Sequence, residues 1–329
     1  MSEKNVPFQW TEKVDTEGKE QLKLGILTGG GDCAGLNAFI YTIVMEYQGE
    51  VYGIKDGWQG FLTKRIYPLK FSDVENIFHS GGTCLGTSRT KPSLEKIKRT
   101  LIEKGIDGLI VIGGNDTLSL LQGLVKLGIK VIGIPKTIDN DVESTDLCLG
   151  FQTAVEIGTK AVKDIKNSAK SHNRIIVVEV MGRSHGTLAN QIGIGSNTPL
   201  VLIPEEPKNL NWILSQVQKM DSGVVIIAEG FKLDGKEIHE SKERDAYGNV
   251  MLGGVAKVLV NYLKTKTKKE IRSTEITYQL RGAEPIAQDK ILAVNFARHT
   301  LKLIEKNTWN RKVVMKNGKV RDINANGKI

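Results

Sequence analysis

Cysteine is scarce in this chain: Cys33, Cys84 and Cys148 are far apart and odd in number, so neither a disulfide framework nor a zinc knuckle is available. They read as the reduced thiols of a cytoplasmic protein. Aromatic residues make up only 6%. With no recognition-helix signature and no interleaving of basic and aromatic residues, that argues against nucleic-acid binding despite a net charge of +9. Much of the excess is local, because residues 311–329 carry six Lys or Arg against one Asp. The diffuse positive field suits small anionic substrates. No hydrophobic run approaches membrane-spanning length, and residues 1–21 are polar and charged, without the apolar stretch of a secretory signal. Neither membrane insertion nor export is expected. Pro-rich or Ser-rich linkers, internal repeats and low-complexity blocks are also missing.

What is present is glycine, 35 residues in 329, within otherwise ordinary globular usage of 40% hydrophobic and 25% charged residues. Many glycines follow apolar runs directly, where backbone can approach a ligand. Short β-rich runs over 22–27, 50–54, 108–112, 131–134, 175–180, 201–203 and 223–227 read as buried strands. Helical patterns over 35–47, 93–103, 117–126, 145–171 and 287–304 alternate with them. The fold class is α/β with mainly parallel sheets flanked by helices. Two lobes are expected, 22–141 with about 285–306 and 142–284, framed by a polar extension over 1–21 and a solvated basic tail over 307–329. Residues 232–248 read as an exposed loop.

The richest stretch is Pro135-Lys136-Thr137-Ile138-Asp139-Asn140-Asp141, just past an apolar run and so beyond the carboxyl end of a strand, where open α/β sheets hold ligands. It combines a candidate base, an orienting hydroxyl and a phosphate anchor. Taken alone, it also reads as turn chemistry, since Asp and Asn cap backbone groups. Leu24-Gly25-Ile26-Leu27-Thr28-Gly29-Gly30-Gly31-Asp32 puts a glycine loop between strand and helix, a cradle for phosphate. It has neither the Gly-Lys-Ser/Thr of the nucleotide P-loop nor the dinucleotide G-x-G-x-x-G pattern. Gly113-Gly114-Asn115-Asp116-Thr117 repeats the strand-to-loop logic, although Asn115 or Asp116 could equally cap a helix. Gly81-Gly82-Thr83-Cys84-Leu85-Gly86-Thr87-Ser88-Arg89 ends in an arginine suited to phosphate oxygens or to a surface ion pair.

These loops in this order, followed by Glu179-Val180-Met181-Gly182-Arg183, resemble the phosphofructokinase family over about 25–303. The resemblance implies a two-lobed fold and transfer of a phosphoryl group to fructose 6-phosphate with Mg²⁺. It makes Asp139 the general base for the sugar 1-hydroxyl, with Thr137 and Asp141 orienting the nucleophile. It places the sugar phosphate among Met181, Gly182, Arg183, Glu229, Tyr278 and Arg281. Arg174 and Arg272 would reach in from a neighbouring subunit of a homodimer or homotetramer.

Family members that use ATP typically have glycine at the positions of Asp116 and Lys136, and pyrophosphate-dependent members have Asp and Lys. This chain carries the second pair. A carboxylate at Asp116 would repel the α-phosphate of a nucleotide, and Lys136 would offset charge on the phosphoryl group in flight. Tyr278, where ATP users commonly have His, points the same way. Arg89 and the N–H groups around Gly30 would hold the diphosphate with Asn115, Asp116 and Lys136. The expected reaction is reversible, with an ATP-dependent enzyme and a catalytically weak sugar-phosphate-binding subunit as the alternatives. Asn115 departs from the pattern, standing where the family usually has an acidic metal contact, and a neutral oxygen there should weaken Mg²⁺ binding. Ala283 and Ala34 are milder departures. Tyr41 and Met45 replace the arginines of the bacterial effector site and read as packing residues.

Overall fold

Seven apolar runs separated by glycine-rich loops form the central strands, and the alternation of their side chains divides the core into three layers. The computed structural model describes residues 21–325 apart from 245 and 249. The expected extension over 1–21 falls outside these residues except for Gln21. The strands are β1 Leu24–Thr28, β2 Val51–Ile54, β3 Ile66–Pro68, β4 Gly108–Gly113, β5 Lys130–Pro135, β6 Ile175–Val180, β7 Val201–Leu202, β8 Gly223–Ala228, β9 His239–Arg244, β10 Val250–Leu252, β11 Ile271–Ile276, β12 Arg311–Lys316 and β13 Lys319–Asn324.

A seven-stranded sheet runs in the order β13-β12-β5-β4-β1-β2-β3 and a four-stranded sheet in the order β11-β6-β8-β7. The first is parallel except at its two ends, where β3 and β13 run antiparallel to their neighbours. The second is parallel throughout. Successive residues of a strand point to opposite faces. Ile110 and Ile112 of β4, Ile132 and Ile134 of β5, Val178 and Val180 of β6, and Val224 and Ile226 of β8 therefore share one central core. Leu109, Val111 and Val131 face an outer core, and Val177, Val225 and Ile227 face another. The helices Leu36–Glu46, Phe151–Ser171 and Ala287–Glu305 contribute to the central layer, which joins the two sheets.

The strand order reverses at β1, which has β2 on one side and β4 on the other, so the loops after β1 and β4 flank a crevice of the kind that binds ligands. The second sheet turns at β6, between β11 and β8. Its carboxyl ends carry Met181 to one side of Glu229.

Four expectations are corrected. The long helix begins at Phe151 rather than 145, because residues 139–148 are held as a loop by their own side chains and Asp289 caps the helix at Gly150 and Thr153. The pattern over 117–126 is broken into Asn115–Leu118 and Leu121–Lys126. The stretch 232–248 contains β9, paired antiparallel with β10. The basic tail is a hairpin: β12 joins the large sheet beside β5, burying Val313 and Val314, and β13 forms the edge.

Candidate active site

Gly30 has φ of 82°, a left-handed conformation that an L side chain rarely adopts, and this lets the loop after β1 turn tightly. The loop is tied on three sides. Gly29 N–H donates to Ile112 O at 2.9 Å, Gly30 N–H donates to Ser88 O at 3.2 Å, and Thr87 Oγ1 donates to Gly30 O at 2.5 Å. Arg89, one residue further and exposed, thus stands beside the glycine loop. Buried Asn37 braces the same region, donating to the carbonyls of Ser80 and Gly81 and accepting Cys84 N–H at 2.7 Å.

Lys136 is 2% exposed, and its Nζ donates to the carbonyl oxygens of Gly29, at 3.0 Å, and Gly31. It therefore stitches the end of β5 to the glycine loop and keeps one further N–H. Burial, with the nearby Arg281 guanidinium, pushes its ammonium pKa down, opposed by the carboxylates of Asp32 and Asp139. Asp32 was not singled out in the sequence; its place next to a glycine triplet was the available signal.

Asp139 is recessed beyond β5, its N–H bonded to Thr137 Oγ1 at 3.0 Å. Burial, then the charges of Asp141 and Glu229, raise its pKa to about 6, against the opposing pull of Arg281 and Arg183. A carboxyl poised there exchanges protons near neutrality. Asn115 Nδ2 donates to Asp141 Oδ2 and to Asp141 O, both at 3.1 Å, which leaves Asn115 Oδ1 as the oxygen available to a cation.

Across the crevice, Glu229 Oε1 accepts the N–H groups of Arg183 at 3.0 Å and Gly182 at 3.3 Å. Burial raises its pKa against those two hydrogen bonds. The next residue has to be glycine: a Cβ on Gly230 would lie 1.6 Å from Arg183 O. Arg183 Nη1 in turn lies 3.7 Å from Asp116 Oδ2 on the opposite loop. The Arg281 guanidinium rests against the glycine loop, 3.4 Å from where a Cβ on Gly31 would be. Tyr278 is 78% exposed at the rim.

The structure thus brings together Gly30, Arg89, Asn115, Asp116, Lys136, Thr137, Asp139, Asp141, Met181, Gly182, Arg183, Glu229, Tyr278 and Arg281 around the facing strand ends. It does not bring Arg174 and Arg272 there. Arg174 precedes β6 and Arg272 pairs in register with Ile176, so both sit at the amino end of the four-stranded sheet. Six residues of strand, roughly 20 Å, separate that end from Met181. Both guanidinium groups there meet Glu270, at 3.3 Å from Arg174 and 2.8 Å from Arg272.

Comparison with known proteins follows the same lines. The family profile described as "Phosphofructokinase" matches residues 23–304. A pyrophosphate–fructose 6-phosphate 1-phosphotransferase of Amycolatopsis methanolica is 42% identical over 85% of this chain and 86% of its own. An ATP-dependent 6-phosphofructokinase 3 of Streptomyces coelicolor is 34% identical over 90% of this chain and 91% of its own. The crystal structure of a pyrophosphate-dependent phosphofructokinase from Marinobacter aquaeolei shares the fold, with a TM-score of 0.77 at 22% identity, covering 92% of this chain and 83% of that one.

Proposed function

The chain belongs to the phosphofructokinase family and is a phosphotransferase, and from that premise we propose that its phosphoryl donor is pyrophosphate and its acceptor fructose 6-phosphate. The observation that carries the choice of donor is Asp116. Its carboxylate stands in the crevice facing Arg183, where the additional phosphate of a nucleotide would meet a fixed negative charge. Five similar relatives carry the pyrophosphate name at 37–42% identity.

Ionised Asp139 accepts the proton of the sugar 1-hydroxyl as its oxygen attacks phosphorus. The bond to the bridging oxygen of the diphosphate breaks, and inorganic phosphate leaves. Thr137 and Asp141 orient the acceptor. Arg89 and Lys136 hold the diphosphate beside the glycine loop; the Gly29 and Gly30 N–H groups expected to share this task are already taken by Ile112 O and Ser88 O. Arg183 and Arg281 neutralise the 6-phosphate, and Glu229 accepts hydrogen bonds from sugar hydroxyls. In reverse, protonated Asp139 returns its proton and the same residues release fructose 6-phosphate and pyrophosphate.

Among the described residues no group of three or more His, Cys, Asp or Glu could hold a metal ion. The neutral oxygen of Asn115 and the carboxylate of Asp116 are nevertheless hard donors of the kind Mg²⁺ takes when it arrives with phosphate. Asn115 and Asp116 would hold it, and it would supply charge neutralisation to the diphosphate oxygens. Arg174 and Arg272, remote from their own crevice, complete the site of a neighbouring subunit in a homodimer or homotetramer. No helix among the described residues is long and apolar enough to cross a membrane. Within this proposal the enzyme works in the cytoplasm.

The test is a coupled assay with Mg²⁺ run in parallel on pyrophosphate and ATP. Turnover with pyrophosphate alone supports the proposal; turnover with ATP alone overturns the donor assignment.

A further inference from the structure

The turn of the β12–β13 hairpin is bonded to the loop that carries Asp139, although the family match ends at residue 304 and the hairpin lies beyond it. Asp146 is the junction. Its Oδ2 accepts Asn317 N–H at 2.7 Å, its Oδ1 accepts from Lys316 Nζ at 3.1 Å, and its own N–H donates to Met315 O at 2.9 Å. Buried Thr145 adds a fourth link, its Oγ1 accepting Met315 N–H at 2.9 Å.

From Asp146 the connection continues inward. Its carbonyl accepts from Asn140 Nδ2 at 3.2 Å, and Asn140 Oδ1 accepts Cys148 N–H at 2.7 Å. Asn140, with φ of 52°, lies between Asp139 and Asp141 in the chain. Its side chain therefore holds a left-handed kink whose neighbours are the two functional carboxylates. The ion pair of Lys316 and Asp146 is half-exposed and worth little by itself. The directional backbone bonds around it fix the geometry.

We propose that Asp146 is a positioning residue, which through Asn140 sets the placement of Asp139, so that the end of β12 and the start of the hairpin turn, residues 315–317, act as a brace for the proton-accepting loop. The inference rests on the proposed role of Asp139. A base displaced by about 1 Å forfeits on the order of a hundredfold in rate, whereas groups that bind ligand from other loops are unaffected.

The experiment is steady-state kinetics of phosphoryl transfer from pyrophosphate to fructose 6-phosphate in the full chain. Asp146→Ala is expected to lower kcat about 10- to 100-fold with both KM values within about threefold, since Arg89, Arg183 and Arg281 sit on other loops. Asp146→Asn keeps an oxygen for Asn317 N–H and is expected to recover kcat to within about threefold of the parent. Asn140→Gly keeps the backbone conformation while losing both side-chain bonds; it should match Asp146→Ala and serves in its place should that variant not accumulate. The double variant should fall no further than the poorer single one.

A parental kcat in both Asp146→Ala and Asn140→Gly, or additive losses in the double variant, overturns the brace while leaving the base assignment intact. Asp139→Asn is the control. Activity surviving in Asp139→Asn overturns the base assignment and the brace with it.

Discussion

Arg183 and Asp116 face each other across the crevice, one on each sheet's loops, with Nη1 3.7 Å from Oδ2. Under the proposed function, the pair links the residue assigned to donor selection to one assigned to the sugar phosphate. Both side chains are about a third exposed or more, at 34% and 42%, so the attraction is screened and contributes at most about 1 kcal/mol.

Asp116→Gly should therefore act on the donor far more than on the acceptor. Pyrophosphate turnover falls at least tenfold and nucleoside triphosphate turnover rises, while KM for fructose 6-phosphate moves less than about fivefold, the ceiling that 1 kcal/mol sets. Kinetics with both donors at saturating sugar phosphate check this. A larger rise in sugar KM than in pyrophosphate KM would contradict it.

Asp139→Asn should reduce turnover by about 10²- to 10⁴-fold and also stabilise the fold. Asp139 has a folded pKa of about 6, above the ordinary aspartate value, so the native state binds more protons than the unfolded one between about pH 4 and 6. Stability contributed by the neutral acid is present at low pH and is lost as pH rises through 6, at a cost of roughly 2–3 kcal/mol by pH 8. The Asn variant escapes that cost. Its Tm should exceed the parent's at pH 8, and the two should converge at pH 4.

The same pKa sets a directional pH dependence. With Asp139 as the proposed base, phosphorylation of the sugar needs its ionised form, so kcat/KM should decline about tenfold per unit below pH 6. Dephosphorylation of the bisphosphate needs the protonated form and should peak at lower pH. Rate profiles in both directions with one preparation test the displacement of the two optima.

Asn115→Asp replaces an amide donor 3.1 Å from Asp141 Oδ2 with a second carboxylate. Without a cation the two negative charges destabilise the loop by about 1 kcal/mol. Mg²⁺ relieves this, so the half-saturating Mg²⁺ concentration should fall severalfold. The variant's Tm should also rise with Mg²⁺ more steeply than the parent's.

Strands buried on both faces were legible because they read as unbroken apolar runs, as in Leu109-Ile110-Val111-Ile112. Strands with charge among or beside their apolar residues were not. β11 carries exposed Arg272, Ser273 and Glu275 between buried Ile271 and Ile276, and β12 is bounded by Arg311, Lys312 and Lys316, so charge masked their strand character. In the site, Asp139, Lys136 and the glycine loop were legible from local motifs, since each lies where an apolar run gives way to a loop. The meeting of Asn115 with Asp141 and the anchoring of Asp146 by residues 316 and 317 were not, because they join positions 26 and about 170 residues apart. No local pattern encodes such distant pairings.

Asp289 has a kinematic consequence. From the helix Ala287–Glu305 its carboxylate grips the start of the helix Phe151–Ser171 through Gly150 N–H, Thr153 N–H and Thr153 Oγ1, at 3.0, 2.7 and 2.6 Å, with no solvent access. Sliding one sheet past the other would shear all three bonds at once inside a dry interior. Asp289 therefore locks the two helices in one register and opposes any such slide.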